Sequence, residues 1–204
     1  NIVAIPTSVD INTDNGNTTT LMFLDSGLSG TSDDLLINLD GVTGTIDLKL
    51  SSGAANTIET VSLDSNSVTN TIASLDSTEA GVVKVEMTGD QALVITAALN
   101  NEVVTVDGSA ATGALTYTTG TGTVTASGGS AADTITAGSG ANTLTGNAGG
   151  DTFNFAQSQF DTDDTIAGGA GTDIIKVATT DTNEIIVLAD FTNVTSVETL
   201  TAGS

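Results

Sequence analysis

Between residues 128 and 176 one kind of side chain returns at a fixed interval. Three nine-residue segments follow one another without a gap: Gly128-Gly129-Ser130-Ala131-Ala132-Asp133-Thr134-Ile135-Thr136, Ala137-Gly138-Ser139-Gly140-Ala141-Asn142-Thr143-Leu144-Thr145 and Gly146-Asn147-Ala148-Gly149-Gly150-Asp151-Thr152-Phe153-Asn154. Each opens on Gly or other small residues, has Asp or Asn sixth and a large apolar residue eighth. A four-residue slip at Phe155 to Ser158 breaks the register, which resumes with Asp164-Thr165-Ile166-Ala167 and then Gly168-Gly169-Ala170-Gly171-Thr172-Asp173-Ile174-Ile175-Lys176. A glycine turn bends without a Cβ penalty and lets backbone carbonyls approach a common point. A carboxylate two or three residues later adds a charged oxygen beside them. That is the donor chemistry of a hard cation, above all calcium, which takes six to eight oxygen ligands.

The rest of the composition removes the competing chemistries. The chain has 204 residues, Lys+Arg 3 against Asp+Glu 25, and a formal net charge of -22. The three cations are Lys49, Lys84 and Lys176; His, Cys, Arg and Trp are absent. Without His or Cys there is no Ser-His-Asp or Cys-His nucleophile and no zinc, haem or iron–sulfur site of the usual kinds. Three cations give no footprint for nucleic acid, nucleotide phosphate or anionic lipid. Leu24-Asp25-Ser26-Gly27 has the D-[ST]-G form of an aspartic-protease half-site, but no second copy accompanies it. A carboxylate-pair glycosidase would want aromatic platforms, and aromatics are 3% of the residues. The expectation is a protein that is not an enzyme.

The elements that must position these residues are strands. Mean hydropathy is +0.19, and the apolar content is aliphatic and β-branched, with 38 threonines besides. Runs such as Leu35-Leu36-Ile37-Asn38-Leu39, Ile46-Asp47-Leu48-Lys49-Leu50, Val82-Val83-Lys84-Val85-Glu86-Met87 and Val103-Val104-Thr105-Val106 start about 10 to 14 residues apart, with Asp40-Gly41, Gly89 and Asp107-Gly108 between them. A sandwich of this size would bury large aromatics between its sheets, whereas a stacked solenoid fills a narrow interior with aliphatic ladders. The predicted fold is all-β, a right-handed parallel β-solenoid. Helix is incidental, at most around Gln91 to Asn100, and the first thirty residues fit the pattern poorly, with Asn15-Gly16 a turn signal. There is no apolar run long enough to span a membrane and no leader-like segment, and both ends look cut from a longer chain.

The nine-residue segments resemble the calcium-binding nonapeptide repeats of secreted bacterial RTX proteins, G-G-x-G-x-D-x-U-x, with Gly168 to Lys176 matching every fixed position. The resemblance implies that residues 1–126 form irregular solenoid coils and 127–204 a calcium β-roll with following strands. In that roll two nonapeptides make one coil, so Asp133, Asp151 and Asp173 stack in one ladder and Asn142 and Asp164 in the opposite one. It implies Ca2+ as cofactor, held by Asp133, Asn142, Asp151, Asp164 and Asp173 and by first-, second- and fourth-position carbonyls, here Gly128, Gly146, Gly149, Gly168, Gly169 and Gly171. Asp161 and Asp163, in the inserted loop, read as a solvated acidic face. The closing Phe191-Thr192-Asn193-Val194-Thr195-Ser196-Val197-Glu198-Thr199-Leu200 is similar to coils that follow RTX segments in large surface proteins. With the Thr/Ser/Ala/Gly richness, the whole resembles a segment of a Gram-negative S-layer protein exported by type I secretion. That implies a structural coat at the cell surface which folds and self-associates into a lattice through calcium. Regions outside this segment would meet surface polysaccharide, with no nucleic acid and no membrane insertion involved. The alternative is a calcium-binding adhesin or an RTX toxin or exoprotein module.

Overall fold

Each apolar run is short and alternates inward aliphatic with outward polar residues. In Asp34–Asp40 the inward side chains are Leu35, Ile37 and Leu39, and in Thr60–Ser65 they are Val61 and Leu63, all buried. A strand with one apolar face can stack on the next if the chain returns to the same side after a full circuit, and the pairing is then parallel. The computed structural model, which describes residues 6–24, 28, 32–51, 57–156, 158–178, 186 and 188–203, is such a stack. Nine strands form one parallel sheet: Val9–Asn12, Asp34–Asp40, Thr60–Ser65, Lys84–Thr88, Thr105–Asp107, Thr125–Ser127, Thr143–Ala148, Thr165–Ala170 and Val194–Thr195. Seven form a second: Asn70–Ile72, Leu93–Ile95, Leu115–Thr118, Thr134–Thr136, Thr152–Ala156, Ile174–Ala178 and Thr199–Ala202. Three more, Thr18–Phe23, Thr45–Leu50 and Ser74–Asp76, make a third sheet confined to the early coils. The fold is an all-β parallel solenoid.

The circuit tightens along the chain. Asp10 meets Asn38, 28 residues on. Asp33 meets Glu59 after 26 residues, Ser62 meets Glu86 after 24, Asp107 meets Ser127 after 20 and Asp133 meets Asp151 after 18. A long circuit has room for three sides, and the third sheet ends as the circuit shortens to two. From Asp151 to Asp173 the step opens again to 22 residues, because the slip after Phe155 inserts an extra loop. That loop is tied down by Phe160, whose ring lies 5.2 Å from those of both Phe155 and Phe191.

Two expectations are corrected. Residues around Gln91 to Asn100 hold the strand Leu93–Ile95 rather than helix, because Leu93 and Ile95 point into the same narrow core as Leu115 and Ile72 above and below. Among the described residues helix is limited to the 3₁₀ turn Leu188–Phe191. The first thirty residues contribute full coil strands: Val9–Asn12 pairs with Asp34–Asp40, and Thr18–Phe23 with Thr45–Leu50. Asn15 and Gly16 turn the chain between those two sheets, both with left-handed φ (52° and 80°). The Asp25-Ser26-Gly27 motif lies outside the described residues.

Candidate metal centre

At each corner of the solenoid the chain leaves one sheet for the next, and its amides need acceptors that no strand provides. A side chain of the following coil supplies them. Upstream two of these are neutral, Asn70 Oδ1 accepting from the Val42 N–H at 2.8 Å and Asn100 Oδ1 from Ser77 at 3.0 Å, and one is the half-buried Glu59, whose Oε2 accepts the Asp33 N–H at 2.8 Å. In the repeat region the same task falls to carboxylates. Asp133 Oδ1 accepts from the Leu115 N–H at 2.7 Å, Asp151 Oδ1 from Asp133 at 2.8 Å and Asp173 Oδ1 from Asp151 at 2.8 Å. On the other side, Asp164 Oδ1 accepts from the Asn142 N–H at 2.9 Å. The two ladders therefore exist as spacing predicts, and all five side chains are 1% exposed or less.

Burial leaves their second oxygens poorly served. Asp133 Oδ2 takes the Gly129 N–H at 2.6 Å, and Asp164 Oδ2 has a long contact to the Asp161 N–H at 3.4 Å. Asp151 Oδ2, Asp173 Oδ2 and Asn142 Oδ1 are buried with no partner. An unpaired buried oxygen costs about 1–3 kcal/mol, more when charged. Further oxygens crowd the same places. A Cβ on Gly146 would stand 2.1 Å from Asp151 Oδ2 and 2.3 Å from the Gly168 carbonyl oxygen of the next coil. On Gly128 it would meet Asp133 Oδ2 at 2.3 Å and the Gly146 oxygen at 2.9 Å, and on Gly168 it would meet Asp173 Oδ2 at 2.5 Å and the Ser196 oxygen at 1.8 Å. Glycine opens the repeats at 128, 146 and 168 because oxygens of two successive coils converge over its Cα.

Further round the turn, the Cα of Gly149 lies against the Ala131 carbonyl, that of Gly169 against Asn147 and that of Gly171 against Gly149. Gly169 and Gly171 have left-handed φ of 105° and 148°. Two carbonyl sets already have neutral donors. Asn147 Nδ2 donates to the Gly128 oxygen at 2.7 Å, and Asn142 Nδ2 donates to the carbonyls of Gly138 and Gly140.

The site's electrostatics follow from burying anions without a counter-charge. Asp151 is pushed up to about 6, first by burial; the Asp133 N–H pulls it down, and the neighbouring Asp133 and Asp173 carboxylates push it up again. Burial also raises Asp133 and Asp164. Such a nest of anionic and carbonyl oxygens fits a cation, which reverses the penalty on the charged form. Among the described residues no three acidic side chains gather at one point. The available donors are thus mainly carbonyls with one or two carboxylates, a mixed oxygen set that calcium accepts. Asp161 and Asp163 have exposed side chains in the loop, and only the backbone of Asp161 touches a ladder residue, at Asp164.

Two ladder ends escape the nonapeptide pattern. Leu115 stands where Asp133 stands one coil later, since Thr116 pairs with Thr134, and its Cδ1 fills the space over Gly108 that a carboxylate oxygen takes over Gly128. The 18-residue interval counted back from Asp133 reaches it. At the other end Glu198 Oε2 accepts the Asp173 N–H at 2.7 Å, 25 residues on, where no repeat spacing points.

Residues 125–157 and 160–176 match the family model of the RTX calcium-binding nonapeptide repeat (4 copies), and the break in the match, residues 158–159, falls at the end of the slip. No curated protein and no solved structure matches the chain. Over the coils that carry both buried carboxylate ladders, this chain is similar to RTX calcium-binding nonapeptide repeats, and Ca2+ is the ion such repeats bind.

Proposed function

We propose that the chain is a structural segment of a bacterial surface-layer protein whose coils set and assemble when calcium is bound. The observation that carries the calcium part is the full burial of carboxylates at the corners of the repeat coils, where the upstream Glu59 is only half-buried. Asn70 and Asn100 show that a neutral side chain can satisfy a corner amide, yet the repeats use carboxylates buried to 1% exposure or less. Burying anions is unfavourable unless a cation is part of the folded state. In this reading Asp151 and Asp173, each with a buried orphan oxygen, hold the ion most firmly, with Asp133 and Asp164 beside them. Asn142 offers its orphan Oδ1 but no charge. Carbonyls at Gly146, Gly149, Gly168, Gly169 and Gly171 complete the shells, while that of Gly128 already accepts from Asn147. Bound calcium supplies positive charge between coils, and the chain's own residues supply the spacing, the oxygen donors and a dry aliphatic interior.

RTX repeat proteins are generally secreted, and no helix among the described residues is long and apolar enough to cross a membrane. Extracellular calcium modules bind at roughly 10⁻⁴ to 10⁻³ M, so in this reading the coils order after export. The coat role is supported by the outer faces, which are ladders of small polar residues: Thr105, Thr125, Thr143 and Thr165 stack on one sheet, and Thr116, Thr134 and Thr152 on the other. The test has two parts. Circular dichroism and melting with millimolar calcium and with chelator should show the β signal and melting temperature falling in chelator; unchanged values refute the folding switch. Electron microscopy after calcium addition should show ordered arrays. Monomers that instead bind glycans or cells would replace the coat by the adhesin reading.

A further inference from the structure

We infer that Glu198 completes a calcium site beyond the last nonapeptide repeat, between the coil of Gly168–Asp173 and the coil that follows it. The inference rests on the calcium reading of the ladders and adds a residue that the repeat pattern does not contain.

The ladder step recurs three times with the same parts. In each, a carboxylate oxygen accepts the N–H of the acidic residue one coil earlier: Asp151 from Asp133, Asp173 from Asp151 and Glu198 from Asp173, at 2.8, 2.8 and 2.7 Å. In each, the earlier coil's Asp Oδ2 and a carbonyl of the later coil meet over a first-position glycine. The pairs are Asp133 Oδ2 with Gly146 O over Gly128, Asp151 Oδ2 with Gly168 O over Gly146, and Asp173 Oδ2 with Ser196 O over Gly168. Ser196 thus takes the first position of a repeat that its own sequence lacks. Its φ of 52° is left-handed.

The loop is shorter here. Six residues run from Gly168 to Asp173, whereas Ser196, Val197 and Glu198 cover the same part of the circuit in three. The extra methylene of glutamate lets a carboxylate from the shortened loop reach the Asp173 amide, which explains Glu rather than Asp at this position. The independent sign of a missing ligand is Asp173 Oδ2. It belongs to a residue 0% exposed, has no hydrogen-bond partner, and lies with the Ser196 carbonyl against one glycine. Two carboxylates and the Ser196 carbonyl form the start of an oxygen shell for a hard divalent cation, and water can fill its open side, because Glu198 is exposed.

The experiment counts ions on the whole chain by equilibrium dialysis with radioactive calcium. Glu198→Gln keeps an acceptor for the Asp173 N–H and removes the charge. It should bind one ion fewer per chain than the wild type, the others being retained. Glu198→Asp, one methylene short, should lose the same ion. Circular dichroism in calcium verifies that each variant is folded. For the wild type, the ¹³C shift of the Glu198 carboxyl should move during a calcium titration. That readout needs no variant. An unchanged count in folded variants, or a Glu198 carboxyl that ignores calcium while the other ions bind, overturns this site and leaves the repeat sites standing. A wild-type chain that binds no calcium overturns both.

Discussion

Asn142 differs from the acidic members of the ladders by one atom, and its surroundings show what that atom decides. Its backbone N–H donates to Asp164 Oδ1 as the other members donate to theirs, but its Nδ2 donates into the Gly138 and Gly140 carbonyls. An amide group there does part of a cation's work, at the cost of an orphan Oδ1. A carboxylate at 142 would return two carbonyls to the pool of metal donors and add charge. Asn142→Asp should therefore raise the number of calcium ions bound per chain by one at millimolar calcium, and lower the melting temperature in chelator, where the new anion is buried without a partner. Calorimetric titration with parallel melts measures both. An unchanged ion count would mean that the amide is not what limits this corner. The identity of the ladder residues was legible from the nine-residue spacing. That one oxygen of each carboxylate is already committed to an amide of the neighbouring coil was not, because this contact crosses 18 to 22 residues and uses backbone atoms that spacing alone does not place.

At the scale of elements, the strands could be read from alternation, and their pairing partners could be read in the repeat region but not upstream of it. Runs at about 10 to 14 residues suit a solenoid of either two or three sides, and the tightening from 28 to 18 residues per circuit emerges only when the registers are known. The early region hid its strands for a different reason. Thr18–Phe23 buries only Phe23 fully and has threonines at its first three positions, so it lacks the aliphatic alternation that marks the other strands. The slip after Phe155 is the other irregular element, and its packing carries a prediction. Phe160 is 6% exposed and bridges Phe155 in the array to Phe191 in the 3₁₀ turn. Removing a buried phenyl ring typically costs roughly 3–5 kcal/mol, and here it also frees the loop preceding Asp164. Phe160→Ala should destabilise the calcium-loaded fold by about 3 kcal/mol in urea melts and weaken calcium binding, whereas Phe160→Leu should recover most of both. A loss of less than about 1 kcal/mol would show that the loop is held without the ring.

For the whole molecule, a net charge of -22 sets two opposed pH responses. Without calcium, Asp151 is held up at about 6 by burial and by its anionic neighbours, and burial raises Asp133 and Asp164 too. Unfolded, these groups return to about 4. Between roughly pH 4 and 6 the folded coils then bind more protons than the unfolded chain, so stability in chelator rises as pH falls through this window. Further acidification works the other way. Lys84 bonded to Glu86, and Ser109 bonded to Asp107, hold those carboxyls below their ordinary values, so the stability they add is lost as they protonate. With calcium the first response inverts, because the ion needs the deprotonated ladder and protons compete for the same oxygens. Melting temperature in saturating calcium should be flat at neutral pH and fall below about pH 6, while in chelator it should climb over the same interval to a maximum near pH 4. Curves of the same sign in both conditions would mean that the buried carboxylates are not where calcium acts. The two curves should converge at the acid end, where the protonated ladder has no use for the ion.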